Sequence, residues 1–332
     1  MIGSSPITDP ERVAESAATR CMLCGNSMLK LWFCDGYYYF RCPKCLLVQV
    51  SPIPRKEILN EYYAKAYVVD CENYRRNISK HGPRDIAALE KLNELGRLLE
   101  VGCSWGFFLE NARKRGWEVH GIELSASSAK WAKEVLGLNV TCGTIEDFLI
   151  PDEVPFDVVV AWHVIEHMQE PANFLRVAYE RLRPGGLLAL RTPNIGSLPA
   201  RINGQTWQWV GAPAHLSLFS PKSLGLAVES AGFSVQHVST RRGDAYNPVF
   251  ELLRGGALRS GFHQRTKRLL KLQSGDNVLP YGESLTSGRR VRILSRLSSL
   301  FDVIFFPLYP IEKFLDFVGF GPELFLIAKR RK

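Results

Sequence analysis

Four groups of residues in this 332-residue chain have the types and spacing to do chemistry. The first is Cys21-Met-Leu-Cys24 followed by Cys42-Pro-Lys-Cys45. Two Cys-x-x-Cys knuckles at this separation suit a zinc ribbon, in which four thiolates surround one zinc and leave no position open for catalysis. The second is Leu98-Leu-Glu-Val-Gly-Cys-Ser-Trp-Gly106, with Glu123 further along. Gly102 and Gly106 allow a ligand close to the backbone, and the helix that follows offers unpaired N–H groups. A carboxylate roughly 20 residues beyond such glycines is placed to accept hydrogen bonds from a ribose. The third is Trp162-His-Val-Ile-Glu-His167, and the fourth is His215 in Pro213-Ala-His-Leu-Ser-Leu-Phe-Ser-Pro221. Histidine suits proton transfer near neutral pH, so His167 and His215 are the candidate bases. His163-x-x-Glu166-His167 also spells an inverted zinc-protease motif. That motif needs the middle of a helix, whereas here it follows a valine-rich strand, and no third ligand is apparent.

The elements that must position these groups are legible as alternating strands and helices. Leu98–Val101, Glu118–Ile122, Asn139–Cys142, Phe156–Trp162, Gly186–Arg191, Phe233–Ser239 and Glu323–Lys329 read as strands. Phe107–Arg115, Ser125–Leu136, Pro171–Leu182 and Pro221–Ala231 have helical spacing between them. Repeated strand–helix units predict a doubly wound α/β sheet, whose ligands bind along the carboxyl edge of the strands. Ahead of it, the tyrosine run Tyr37–Phe40 suits the short strands of a ribbon. Glu57–Tyr63 reads as a helix, residues 66–82 as a connector, and Pro83–Leu92 as a helix with proline in its first turn.

Hydrophobic content of 46% and charged content of 23% fit a globular protein. The first ten residues lack the basic and apolar regions of a secretion signal, so a cytoplasmic location is expected and the cysteine pairs are read as metal ligands. The net charge of +9 is concentrated: twelve Lys and Arg face four acids between Arg241 and Ser299. Such a patch suits an anionic partner, whether a phosphorylated substrate, a lipid headgroup or RNA. RNA is disfavoured because aromatic–arginine interleaving is sparse. The apolar run Leu300–Pro310 is too short and too broken by Pro307 and Pro310 to span a bilayer. It leaves a lid, a dimer surface, a membrane-surface segment or helices packed on the sheet as alternatives.

Taken in order, Glu100–Gly106, Glu123, Gly143-Thr-Ile-Glu-Asp-Phe148, Phe156–His167 and Leu182-Arg-Pro-Gly-Gly-Leu187 resemble the class I S-adenosylmethionine-dependent methyltransferases, in the branch of ubiquinone-biosynthesis-like enzymes. The ribbon and the tyrosine helix after it resemble a zinc-ribbon subgroup whose members often modify sugars or other secondary metabolites. The resemblance covers roughly residues 85–240 and implies a Rossmann-like, seven-stranded, mostly parallel sheet. It implies that Glu100, Gly102, Cys103, Ser104, Gly106 and Phe107 line the methionine side of the cofactor. Glu123 and Leu124 would meet the ribose, Ile145 and Glu146 the adenine, and Trp162 and His163 would close the pocket beneath the sulfonium. Ser104 stands where the family usually has a third glycine. The implied cofactors are S-adenosylmethionine and a structural zinc. The implied activity is methyl transfer to a small-molecule acceptor, anionic or sugar-like, with Trp207 and Trp209 as pocket walls or packing aromatics. Two alternatives stand beside it, a zinc-ribbon RNA methyltransferase and a non-catalytic cofactor-binding scaffold. The expected organisation is a leader (1–19), ribbon (20–54), connecting helix and linker (55–82) and methyltransferase domain (83–241). A basic and apolar insertion follows (242–320), with possible contact to a membrane surface, and then the final strand and tail (321–332). The oligomeric state is not legible.

Overall fold

The structure is a computed structural model and describes residues 19–34, 36–65, 71–148, 154–241 and 319–331. The expected leader up to residue 18 and the basic and apolar segment 242–318 lie outside the described residues.

Seven strands form the main sheet: β4 (Arg97–Val101), β5 (Glu118–Glu123), β6 (Val140–Cys142), β7 (Phe156–Trp162), β8 (Leu182–Pro193), β10 (Phe233–Arg241) and β11 (Glu323–Arg330). Their spatial order is β10-β11-β8-β7-β4-β5-β6. β6, β5, β4, β7 and β8 run parallel, and β11 inserts antiparallel between β8 and β10. The expected seven-stranded, mostly parallel, doubly wound sheet is therefore what the chain forms.

Strand periodicity splits the core into two layers. Val159 and Ala161 of β7 join Leu99 and Val101 of β4 on one face. There they meet Phe174, Leu175 and Ala178 of helix α5 (Pro171–Arg181) and Leu224 and Val228 of α7 (Pro221–Ser230). Val158, Val160 and Trp162 point to the other face with Leu98. That layer is closed by α2 (Cys71–Glu90), α3 (Phe107–Lys114) and α4 (Ala126–Leu136). By the same alternation Glu100 points towards the α2–α3 layer.

Helix α2 departs from expectation. It begins at Cys71, inside the expected connector, and Pro83 lies in its interior instead of its first turn. An interior proline costs roughly 3 kcal/mol. Ile78, Ile86 and Leu89 lie on one helical face and are all buried, each contributing roughly 1.5–3 kcal/mol. That stripe runs through the proline and outweighs it.

The ribbon has its own sheet: β1 (Leu29–Cys34), β2 (Tyr37–Arg41) and β3 (Val48–Ser51), followed by helix α1 (Lys56–Lys65). The fourth strand of that sheet, β9 (Ser217–Leu218), comes from the loop after β8, beyond the short helix α6 (Leu198–Asn203). β2 alternates between two cores. Tyr38 and Phe40 join the α5–α7 layer, while Tyr39 packs with Val48, Val50, Ala200, Trp207, Val210 and Leu218. The ribbon therefore shares its packing with the main domain.

Candidate active site at the carboxyl edge of the sheet

The glycine corner follows β4 as expected. Gly102, Ser104 and Gly106 all have positive φ, at 71°, 48° and 78°. The two glycines occupy this region freely. A Cβ on Gly102 would lie 2.6 Å from Cγ2 of Val164, and one on Gly106 would lie 2.5 Å from Cδ1 of Leu138. Ser104 carries a side chain in the left-handed region, which costs roughly 1–2 kcal/mol. Its N–H offsets part of this by donating to Oε2 of Glu123 at 2.7 Å. Ser125 N–H donates to the other carboxylate oxygen, also at 2.7 Å, so two amides hold Glu123 rigidly at the end of β5. Burial raises the Glu123 carboxyl above its usual range, and the amide hydrogen bonds oppose that rise.

Glu100 is fully buried, and neither carboxylate oxygen has a hydrogen-bond partner among the described residues. Burial, then the charge of Glu123, pushes its carboxyl well above the ordinary value, against the pull of Arg191. Tyr74, from the first turns of α2, is partly buried within electrostatic reach of Glu100, Cys103 and Glu123, and its ring lies 6.3 Å from that of Phe107. A buried carboxylate without a partner among the described residues, Glu100, and a second one held by two amides, Glu123, beside a glycine corner suit a ligand bearing a cation and hydroxyls. The ammonium and ribose of S-adenosylmethionine fit that donor set: Glu100 lacks only a donor, and each Glu123 oxygen retains a lone pair.

The remaining expected cofactor contacts are distributed unevenly. Cys103 is buried beneath the turn, and Phe107 packs 5.5 Å from the Trp131 ring. Ile145 is buried, whereas Glu146 and Leu124 are exposed. Trp162 lies in the core with Phe108 at 5.3 Å and Phe325 at 6.1 Å. Its Nε1 is buried with no hydrogen-bond partner among the described residues.

His163 is held in a charge network. Its ring lies between carboxylates, with Nδ1 3.3 Å from Oε1 of Glu166 and Nε2 3.2 Å from Oε1 of Glu323. Burial would lower its pKa, but the two carboxylates dominate and raise it to about 10, so the imidazole is cationic at neutral pH. Burial would raise Glu166; His163 and then the neighbouring histidines lower it to about 2. Arg191 donates through Nε to Glu323 at 2.5 Å and through a terminal nitrogen to Asp85 at 2.7 Å. Arg241 also reaches Asp85. Sequence reading did not single out Asp85, Arg191 or Glu323 for this role. The available signal was Arg191 ending an otherwise apolar strand at the sheet's carboxyl edge.

His167 and His215, 48 positions apart in the chain, are brought together with ring centroids 4.8 Å apart. His167 lies on the turn Ile165–His167 after β7, and its Nδ1–H donates to the carbonyl of Ala214 at 2.8 Å. His215 Nδ1–H donates to the carbonyl of Trp209 at 2.7 Å. Since a carbonyl can only accept, Nδ1 of each ring carries a proton, and the neutral form of each has its lone pair on Nε2. Burial, then the neighbouring His167, lowers His215 to about 4, which keeps it neutral in ordinary buffers. Trp209 stacks on His163 at 5.5 Å and 16° and also borders His215, whereas Trp207 is buried in the core shared with the ribbon.

The four ribbon cysteines converge as expected. Their sulfurs lie within 4.8 Å of one another, with Cys21–Cys45 and Cys24–Cys42 each at 3.5 Å. A tetrahedron with Zn–S of about 2.3 Å needs edges of roughly 3.8 Å, so Cys21, Cys24, Cys42 and Cys45 fit a zinc ion. Burial opposes ionisation of Cys42, but the Cys45 amide and the adjacent thiols lower it to about 7, as suits a thiolate ligand.

A sheet with this strand order, an antiparallel strand inserted next to its edge, a glycine corner and an acidic residue ending the second strand defines a class I S-adenosylmethionine-dependent methyltransferase fold. The chain belongs to the family described as "Methyltransferase domain", which residues 72–238 match. Among curated proteins it is similar to a ubiquinone biosynthesis O-methyltransferase of Methylobacterium sp. (strain 4-46), at 30% identity over 55% of this chain and 74% of that one. It is also similar to the same-named protein of Maricaulis maris (strain MCS10), at 29% identity over 46% of this chain. The match spans 63% of the M. maris protein, less than two thirds of its length. A solved S-adenosylmethionine-dependent methyltransferase from Archaeoglobus fulgidus aligns with a TM-score of 0.46 at 19% identity, covering 83% of this chain and all of that one.

Proposed function

We propose that this protein transfers a methyl group from S-adenosylmethionine to a hydroxyl oxygen of a small-molecule acceptor. The observation that carries the reading is the shared edge. A buried acidic corner suited to the cofactor and a pair of oriented imidazoles both lie at the carboxyl ends of the central strands. The names of the similar O-methyltransferases support a hydroxyl acceptor; sugars, sugar nucleotides and lipid-linked precursors are the classes to be tried first.

When bound, the cofactor supplies an electrophilic methyl carbon and a good leaving group. Glu100 would hold its ammonium and Glu123 its ribose hydroxyls. His215, or His167 beside it, would take the acceptor's proton on Nε2, leaving an oxygen nucleophile aligned for in-line displacement. The cationic His163, stacked on Trp209, would favour an acceptor that carries or develops negative charge near this edge.

Calorimetry with S-adenosylmethionine and S-adenosylhomocysteine tests the first half. Binding is expected in the intact protein, and Glu123→Ala should weaken it at least tenfold while the fold survives. Absence of binding in folded protein would overturn the assignment. Transfer of labelled methyl to a panel of phenols, sugar nucleotides and isoprenoid-linked hydroxyls tests the second half, with His215→Asn as the inactive control.

A further inference from the structure

The ribbon's contacts run directly to the loop that orients both imidazoles. Strand β3 begins three residues after Cys45, and Cys42 closes that knuckle by donating its N–H to the carbonyl of Leu47 at 2.8 Å. The other knuckle is stitched to the same strand through Gln49, which accepts from the Met22 amide at 3.0 Å and donates to the Arg20 carbonyl at 3.2 Å. β3 then pairs with β9, Val48 opposite Leu218 and Gln49 opposite Ser217. Beyond the pair, Val50 N–H donates to the carbonyl of Leu216 at 2.9 Å. Leu216 uses its own N–H to bond the carbonyl of Glu166 at 2.8 Å. One residue, next to His215, thus joins the ribbon to the turn that carries His167.

Tyr39 holds the middle of the loop. Its side chain is 1% exposed, and its hydroxyl accepts from the Ala212 N–H at 2.7 Å. The segment from Trp209 to Leu216 is therefore held against the ribbon at its middle, through Ala212, and at its end, through Leu216. Within it lie the two carbonyls, of Trp209 and Ala214, that set which nitrogen of His215 and of His167 carries the proton.

We propose that the ribbon is a positioning element of the active site: its metal knuckles, through β3 and Tyr39, fix the loop carbonyls that orient His167 and His215. The four cysteines would serve neither catalysis nor independent folding alone. A zinc ion bound there would hold the start of β3, at Leu47 and Gln49, in register with β9. Tyr39 and Gln49 are then positioning residues for the imidazole pair. The role in proton transfer rests on the function proposed above, but the mechanical coupling does not.

The test reads the imidazoles directly. Full-length protein is labelled with 15N-histidine, and nitrogen shifts report the tautomer and titration of each ring, assigned with His167→Gln and His215→Asn. The zinc-loaded wild type should show both rings as Nδ1–H tautomers. Tyr39→Phe removes one hydrogen bond with little change of shape and should shift the tautomer ratio of His215 by about fivefold, the equivalent of one ordinary hydrogen bond. Its titration should move up towards that of a solvated histidine, because a loosened loop relieves the burial, and the closeness of His167, that hold it down. Stripping zinc with a chelator should likewise shift the tautomer ratio of both rings, while calorimetric binding of S-adenosylhomocysteine changes less than twofold. Wild-type tautomers and titrations in Tyr39→Phe or in metal-free protein would overturn the coupling. If the metal-free chain unfolds, Tyr39→Phe, with thermal unfolding recorded alongside, still decides the matter. Failure of cofactor binding in the wild type would instead strike at the proposed function and leave the coupling result standing.

Discussion

Substituting Glu323 by Gln tests the charge network that surrounds the site. The Glu323 carboxylate is buried and serves two cations, Arg191 at 2.5 Å and His163 at 3.2 Å. Burial alone would raise its pKa, but Arg191 and then His163 hold it well below the usual carboxylate range. Gln keeps the shape and removes the charge. Breaking a buried ion pair costs roughly 3–5 kcal/mol. Arg191 keeps Asp85 and His163 keeps Glu166, so the low end applies, about 3 kcal/mol. At roughly 2–4 °C per kcal/mol that lowers Tm by about 6–12 °C.

The pH dependence identifies the interaction. Folded His163 holds its proton up to about pH 10, while an unfolded histidine loses it near pH 6.5. Its contribution is complete below pH 6.5 and drains away as pH rises towards 10. Glu323 has the opposite sign: its contribution is complete above the unfolded value near 4.5 and falls as acid protonates the unfolded chain. The stability lost in Glu323→Gln should therefore be greatest between about pH 4.5 and 6.5. It should shrink on both sides and level off above pH 10, where only the Arg191 pair remains. Urea unfolding of both proteins from pH 4 to 10.5 measures this. A loss that stays constant with pH, or a variant as stable as wild type, would refute the network.

Gly102→Ala should cost more than 2 kcal/mol and abolish cofactor binding, because its Cβ would meet Val164 at 2.6 Å and its φ is positive; calorimetry and thermal unfolding check both effects. If His215 is the base, the rate of methyl transfer should rise as pH passes up through about 4 and then stay level through neutrality, since the ring must be deprotonated to act. An acid limb near pH 6.5 would point away from it. Cys42→Ser should abolish stoichiometric zinc, measured by elemental analysis, and lower the unfolding temperature, because a small ribbon depends on its metal for folding energy.

Much of this molecule was legible because its signals are local. Valine-rich Phe156–Trp162 is buried on both faces, so it reads as a central strand without knowledge of its neighbours. Gly102, Gly106 and Glu123 announce a tight acidic corner because the turn demands positive φ and the carboxylate ends the next strand. The cysteine knuckles announce a convergence of four sulfurs through spacing alone. Pro83 misled the reading because propensity is local, whereas the face of α2 carrying Ile78, Ile86 and Leu89 gains its stability only against the sheet.

The chain order of residues was thus enough to determine the sheet, the acidic corner and the four-sulfur cluster, since each depends on short-range periodicity or backbone geometry. Only the tertiary structure decided that His167 meets His215, that His163 lies between Glu166 and Glu323, and that the ribbon borrows β9 for its own sheet. Apart from His163 and Glu166, which are neighbours on one turn, those pairings join residues far apart in the chain, and what selects them is the burial of charge and the matching of hydrogen-bond donors across elements. Neither quantity exists until the layers have packed.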